Sequence, residues 1–185
     1  MAKQFMIGLL FFFSLFFLYT PEGMAGTSSA EPFCQKGSND IALSPACPFC
    51  GMDREKFAFS RVFIQYDDGA VFGACSLHCA AIDMAVNVDK APLRIWVGDY
   101  RTRKLIDAEK AFWVIGGNKM GVMTKRAKWA FGTDVEAKRF VKEFGGELSS
   151  FEDAAKAAYE DMYQDTRMIR KKRKMKRMRM KKSQE

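Results

Sequence analysis

Two short segments of the chain concentrate side chains that could bind a soft metal ion. Residues 47–52 read CPFCGM and carry two thiols and a thioether, and residues 75–79 read CSLHC and carry two more thiols. Thiolates and thioethers favour Cu(I), zinc and iron–sulfur centres over hard cations, and the thioether of Met52 favours copper because thioethers bind zinc poorly. The flexible Gly51 lets the sulfurs of Cys50 and Met52 turn toward one ion.

Three kinds of site remain open from these residues alone. The first is a structural tetrahedral zinc site, because C-x2-C followed about 25 residues later by C-x3-C is a reasonable zinc spacing. Its ligands would be Cys47, Cys50, Cys75 and Cys79. The second is a thioredoxin-like redox pair in CPFC, although that motif requires a helix at its first cysteine to lower the thiol pKa, and the glycine that follows gives no sign of one. The third is a Cu(I) site.

The second segment also has simpler interpretations. Cys75 and Cys79 have i, i+4 spacing, which puts both sulfurs on one face of a helix, where they could be ligands or form a disulfide. His78 is the only histidine, and we interpret it as a hydrogen-bonding residue at the start of that helix. Because no serine is positioned beside it, there is no set of acid, base and nucleophile, and we predict that the protein is not an enzyme.

The pattern of apolar residues predicts the elements that position these segments. In the first half, a strand, a turn and a second strand are followed by a helix and a third strand: 61–66, 67–69, 70–74, 76–87 and 93–97. The second half has the same order, with a short extended stretch as its last strand: 111–115, 127–131, 134–144 and 147–148. We therefore predict an α+β fold of two tandem ββαβ units over residues 45–149, followed by a C-terminal helix and a basic, methionine-containing tail over residues 150–185.

The N-terminus is predicted to be a secretory signal peptide over residues 1–25. An uncharged apolar run over residues 5–19 follows Lys3, and a small-x-small site precedes the predicted cleavage after Ala25. The run is shorter than the roughly 20 residues of a spanning helix, so an uncleaved membrane anchor is the weaker alternative. Residues 26–44 are predicted to be a linker, and the exported domain is expected in the periplasm or its equivalent.

The formal net charge of +8 is concentrated at the C-terminus. From Thr166 to the end there are eleven basic residues and one acidic residue, whereas residues 26–165 hold eighteen basic and twenty acidic residues. The domain is therefore almost neutral, and the tail is expected to contact a partner or an anionic membrane surface. Nucleic acid is a poor partner for an exported chain, so the basic tail is not interpreted as a nucleic-acid site.

Six sequence motifs together resemble a known family. They are, in chain order, CPFCGM, FIQYDDGAVF, CSLHC, AFWVIGGNKMGVM, AKWAF and EAKRFVKEFGGELSSFEDA. In this order they are similar to the NosL family of nitrous oxide reductase accessory proteins, over about residues 45–160. The CGM motif and the GxM before a basic-aromatic strand are the most specific parts of the resemblance.

The resemblance implies an exported copper-binding protein that carries Cu(I) to a periplasmic metalloenzyme such as nitrous oxide reductase. By their positions in the family motifs, it implies Cys50, Met52 and Met123 as ligands, with Met120 as a close alternative to Met123. Four residues exceed what this site needs: Cys47, Cys75, Cys79 and His78. They could be further copper ligands or a second metal site, which at the cysteines would suit zinc, and the cysteines could also form a disulfide.

Two positions beside Met123 depart from the family pattern. Val122 stands where proline is common, and Thr124 stands where glycine is common. The lipid-anchor cysteine that is common in the family is also missing, because Cys34 lies well past the predicted cleavage site and lacks the residues that precede a lipidated cysteine.

Overall fold

The computed structural model describes residues 39–184 of the chain. The predicted signal peptide over residues 1–25 and most of the predicted linker, including Cys34, lie outside the described residues. Within residues 39–184, no helix is both long enough and apolar enough to cross a bilayer. The boundaries predicted for the signal peptide and the linker therefore stay predictions.

The first half of the described chain forms a four-stranded antiparallel sheet with a helix packed against it. Its elements are α1 (Asp40–Leu43), β1 (Val62–Tyr66), β2 (Val71–Ala74), α2 (Leu77–Val86), β3 (Pro92–Gly98) and β4 (Leu105–Asp107). The strand order is β2-β1-β3-β4, so β1 pairs with its hairpin partner on one side and with β3 on the other. The β-branched and aromatic residues of β1 are buried, as suits a central strand.

The second half repeats the order strand, strand, helix, strand and adds a long helix. Its elements are β5 (Phe112–Ile115), β6 (Lys128–Phe131), α3 (Asp134–Phe144), β7 (Glu147–Ser149) and α4 (Phe151–Lys182). The sheet order is β6-β5-β7, and both pairings are antiparallel. Ser150 and Asp153 begin α4 with a capping box, in which each side chain accepts a hydrogen bond from the backbone N–H of the other.

The structure confirms the predicted α+β fold and its repeated ββαβ order. The helix predicted over residues 134–144 agrees with α3 at both ends, because Thr133 caps its first turn and Gly145, at φ 73°, ends it. Two short elements were not predicted, α1 with four residues and β4 with three, because so few residues carry no periodic pattern. The C-terminal helix continues through the basic tail as one element of 32 residues.

Both sheets contribute side chains to one hydrophobic core. Tyr100 lies among three aromatic rings whose centroids are 5.0–5.5 Å from its own, those of Trp129, Phe131 and Phe140. The long helix α4 packs against α2 and β5. Because α2 therefore lies between a sheet and another helix, it is buried on more than one face, including at His78 and Asp83.

Candidate metal centre

Four cysteine thiols converge on one point at the edge of the first sheet. Their Sγ atoms all lie within 4.8 Å of one another: Cys47, Cys50, Cys75 and Cys79. The distance is 3.4 Å between the sulfurs of Cys50 and Cys75 and 3.8 Å between those of Cys75 and Cys79. A tetrahedral ion with thiolates at about 2.3 Å would separate its sulfurs by about 3.8 Å, so this geometry is close to that of a metal site. All four are free thiols, so the disulfide interpretation is not what the structure shows for Cys75 and Cys79.

The first two cysteines are positioned by a tight turn. The N–H of Cys47 donates to the carbonyl oxygen of Met52 at 2.9 Å, and the N–H of Gly51 donates back to the carbonyl of Cys47 at 2.8 Å. Gly51 has a φ of 73°, which a residue with a side chain rarely adopts. The turn contains no helix, so the helix that a thioredoxin-like pair needs at its first cysteine is absent from this described segment.

The other two cysteines are positioned by the junction of β2 and α2. Cys75 follows the last residue of β2, and Cys79 lies in the first turn of α2. Their sulfurs point the same way, as the i, i+4 spacing predicts. The hydroxyl of Ser60 donates to the carbonyl oxygen of Cys75 at 2.9 Å and fixes this junction to the end of the preceding loop.

A buried arginine that the sequence analysis did not single out anchors the CPFCGM turn. Arg54 is fully buried, and its guanidinium donates to the carboxylate of Asp40 at 2.8 Å. It also donates to the carbonyl oxygens of Ser44 at 2.7 Å and Ala74 at 3.1 Å, the residue before Cys75. One side chain thus joins both cysteine segments. A Cβ at Gly73 would lie 2.6 Å from this guanidinium, so the strand requires glycine there.

The charge on Asp40 is balanced by a second arginine. Arg61 donates to the same carboxylate at 2.9 Å and is also buried. A buried carboxylate between two guanidiniums is a stable arrangement only while all three groups are present. The only sequence signal for this triad was the position of Arg54 two residues after the CGM motif, and nothing in the sequence placed Asp40 beside it.

The thiols hold their protons unequally because they hydrogen-bond to one another. Hydrogen bonds from Cys50, Cys75 and Cys79 lower the pKa of Cys47. The hydrogen bond with Cys47 is the main cause that raises the pKa of Cys75 and of Cys79. Cys47 therefore loses its proton more readily than Cys75 or Cys79, and a metal ion that binds those two thiols must displace their protons.

Thioethers lie on the open side of the thiol cluster. A cavity of about 460 Å³ is lined by Cys50, Met52 and Met123, and a second cavity of about 130 Å³ is lined by Cys50, Cys79 and Met123. Met123 is half-buried and has a φ of 61°, which is uncommon for a residue with a side chain. Met120, its alternative, is 82% exposed and lies at the rim of the larger cavity.

The departures beside Met123 are part of the packing of its loop. Val122 and Thr124 are both buried, and the hydroxyl of Thr124 donates to the carbonyl oxygen of Arg126 at 3.0 Å.

The structure brings together all six residues predicted as metal ligands. Four of them form the thiol cluster, and the two methionines line the larger cavity with Cys50: Cys47, Cys50, Met52, Cys75, Cys79 and Met123.

The family of the chain follows from a comparison with known sequence families. The sequence model of the NosL family matches residues 39–159, which is more than half of the chain. The chain belongs to the NosL family. The crystal structure of the copper chaperone NosL from Shewanella denitrificans is similar at a TM-score of 0.48 and 19% identity, over 59% of this chain and 88% of that one. No curated protein matches the sequence.

The matched NosL region includes every predicted ligand but not the whole wall of the centre. It begins at residue 39, beside the buried Asp40, and ends at residue 159 inside α4. His78 lies within it, buried on α2 where that helix packs against α4, and its Nδ1 is 3.6 Å from a carboxylate oxygen of Asp165. Burial lowers the pKa of His78, and Asp165 acts in the opposite direction. His78 thus faces the long helix and also lines the cavity of about 130 Å³ together with Cys50, Cys79 and Met123.

Proposed function

We propose that this protein is a non-enzymatic Cu(I) carrier that delivers copper to a periplasmic metalloenzyme, with nitrous oxide reductase as the candidate recipient. The observation that carries the proposal is the convergence of four thiols with the thioethers of Met52 and Met123 around Cys50. Soft sulfur donors of this kind select Cu(I) over hard cations. The family resemblance set out above implies the same ion.

Cys50, Met52 and Met123 are the primary ligands in this proposal, and three buried thiols supply further donors: Cys47, Cys75 and Cys79. Cys50 is the residue at which the two groups of donors meet, because its sulfur lies 3.4 Å from that of Cys75 and it also lines the cavity with both methionines. It is half-exposed, whereas the other three cysteines are buried. An ion held by one thiolate and two thioethers carries little net charge and can move to a recipient by ligand exchange.

The basic end of α4 is the part of the chain that we propose to contact an anionic membrane surface after export. Residues 170–182 contain ten lysines and arginines, and all thirteen residues are exposed. A basic helical segment with interspersed methionines suits an interface of anionic headgroups, at about 1 kcal/mol for each basic residue near the surface. Such a contact would hold the carrier near the membrane.

A structural zinc site is the second candidate, because four thiols at these distances also fit a tetrahedral zinc ion. It would require no role for Met52 or Met123. A thiol–disulfide oxidoreductase that uses Cys47 and Cys50 has less support, because Cys47 is 1% exposed and begins no helix.

An anaerobic Cu(I) titration of the reduced protein against a chromophoric Cu(I) chelator, bathocuproine disulfonate, tests the copper proposal. We expect about one tightly bound Cu(I) per chain at this soft-donor centre. The Cys50→Ser and Met123→Ala variants should each bind at least about tenfold more weakly, since even changes to outer-shell residues cost that much. Met120→Ala is the matched control, because Met120 lies on the same loop but is 82% exposed.

Wild-type affinity in both Cys50→Ser and Met123→Ala would contradict the ligand assignment. Metal analysis of anaerobically purified protein separates the two candidates. Tetrahedrally bound zinc, together with loss of the fold on treatment with a chelator, would favour the structural site and overturn the carrier proposal.

A further inference from the structure

One face of α4 lies over the candidate metal centre. Five residues at positions i, i+3, i+4, i+7 and i+8 of this helix line the cavities around the centre or contact its loops: Asp165, Met168, Ile169, Lys172 and Arg173. This spacing is that of a single helical face. All five lie beyond residue 159, where the match to the NosL family ends.

Two hydrogen bonds hold this face against the two loops that carry the predicted ligands. Near the start of the face, the buried carboxylate of Asp165 accepts a hydrogen bond of 2.9 Å from the backbone N–H of Lys125, two residues after Met123. Two turns later, the guanidinium of Arg173 donates to the carbonyl oxygen of Cys50 at 3.1 Å. The helix is thus fixed to the Met123 loop at one point and to the CPFCGM turn at another.

Met168 lies between these two attachments. It lines the cavity of about 460 Å³ together with Cys50, Met52 and Met123. It is half-buried, although Arg167 on one side of it is exposed. Met162, the preceding methionine of α4, has a different environment, because it packs against the hydrophobic core. Met168 therefore lines the cavity over the ligands, whereas Met162 packs against the core.

We propose that Met168 is an additional thioether ligand of the metal centre, supplied by the part of α4 that lies outside the family match. This inference rests on the proposed Cu(I) function. With the Cys50 thiolate and the thioethers of Met52 and Met123, Met168 gives four soft donors that surround one cavity, which suits Cu(I) and not zinc. The C-terminal helix is then part of the copper site, and the ion joins three segments that are distant in sequence.

Cu(I) titration of the purified full chain tests the inference with the Met168→Leu and Met175→Leu variants. Leucine has nearly the volume of methionine, so neither change should disturb the fold. We expect Met168→Leu to lower the Cu(I) affinity by roughly tenfold. Met175→Leu should leave it unchanged, because Met175 is 44% exposed on the same helix and lines neither cavity.

Copper-edge X-ray absorption of the selenomethionine-labelled protein gives a direct second measurement. The number of selenium neighbours for each copper should fall from about three in the wild type to about two in Met168→Leu. Equal affinity and an equal number of selenium neighbours in the two proteins would overturn the inference. If Cys50→Ser still weakens binding in that case, the proposed function stands without Met168; if the wild-type chain binds no Cu(I), both are overturned.

Discussion

Helices α2 and α3 occupy the same place in the two ββαβ units, yet only α2 carries candidate metal ligands. The residue before the N-cap of α2 is Cys75, and its first turn holds Cys79. At the start of α3, Thr133 accepts a hydrogen bond of 3.3 Å from the N–H of Glu136, whereas the N-cap of α2, Ser76, makes no such bond. The start of α3 is thus stabilised by its own N-cap, whereas the start of α2 carries two of the candidate ligands.

The difference extends to what surrounds each helix. The outer side of α3 is open, with Val135 68% exposed, and its ends are set by local capping residues. The surroundings of α2 come from distant parts of the chain, because α4 covers it and Arg54 joins the strand before it to the CPFCGM turn. The helix of the second unit therefore depends mainly on residues close in sequence. The helix of the first unit depends on contacts with distant residues, and these contacts also surround the candidate site.

The largest effect on stability is expected from removing the buried guanidinium of the first unit. Arg54→Met leaves the buried carboxylate of Asp40 with Arg61 as its remaining cation. It also removes the hydrogen bonds of Arg54 to the carbonyl oxygens of Asp40, Ser44, Val62 and Ala74. The free energy of unfolding should therefore fall by about 3–5 kcal/mol. Lys138→Met is the matched control in α3, because its ion pair with Asp134 is largely exposed, and it should cost less than about 0.5 kcal/mol. Urea denaturation of both variants measures the difference. Similar losses would show that the two units do not differ in this way.

An intermediate effect is expected where α4 is attached to the second unit. Asp161 accepts hydrogen bonds from the buried Lys128 at 2.6 Å and from Arg126 at 2.8 Å. Burial acts to raise the pKa of Asp161, but these hydrogen bonds outweigh it and hold the pKa below its ordinary value. The resulting stability is present above the ordinary pKa of about 3.9 and is lost as the pH falls through the lower pKa of the folded state.

Asp161→Asn should therefore lower the free energy of unfolding by about 1–2 kcal/mol at neutral pH and by less in acid. Glu160→Gln is the control, because Glu160 is more exposed and contacts only Arg126 among these cations. Denaturation at pH 7 and at about pH 3 gives the comparison. A deficit that does not shrink in acid would contradict the role of the carboxylate charge.

The smallest effect is expected at the two N-caps. Thr133→Ala should destabilise the protein by about 1 kcal/mol, because it leaves the N–H of Glu136 without its acceptor. Ser76→Ala should cost less, because Ser76 makes no capping hydrogen bond in α2. Thermal unfolding of the two variants tests this ranking, and an equal or larger loss for Ser76→Ala would reverse it.

The sequence predicted best what depends on neighbouring residues. The bounds of α3 followed from its cap and its terminal glycine, and the shared direction of Cys75 and Cys79 followed from helical spacing. The spacing of the two cysteine segments suggested that they meet, but it could not establish their distance in space. That distance depends on how β2 pairs with β1. The triad of Arg54, Asp40 and Arg61 was out of reach, since no periodicity relates a buried carboxylate to guanidiniums 14 and 21 residues away.

Met123 shows a second limit of the sequence. Its predicted role came from the family resemblance, and only the fold shows that Met123 lines both cavities with Cys50, whereas Met120 is exposed at the rim of one of them. The buried Val122 and Thr124 fix that loop, and neither residue type signals such a role in a sequence. The contact of Asp165 could likewise not be predicted from the sequence. Its partner is the backbone N–H of Lys125, and every residue other than proline has such a group.

The basic tail is the exposed end of one continuous helix, α4, whose earlier turns pack against the domain. At 1.5 Å per residue, its 32 residues extend about 48 Å, and the last turns carry the exposed lysines and arginines. The contact of Arg173 with Cys50 lies between the packed part of the helix and this free arm. A displacement of this arm would therefore reach the CPFCGM turn through the hydrogen bond between Arg173 and the carbonyl oxygen of Cys50.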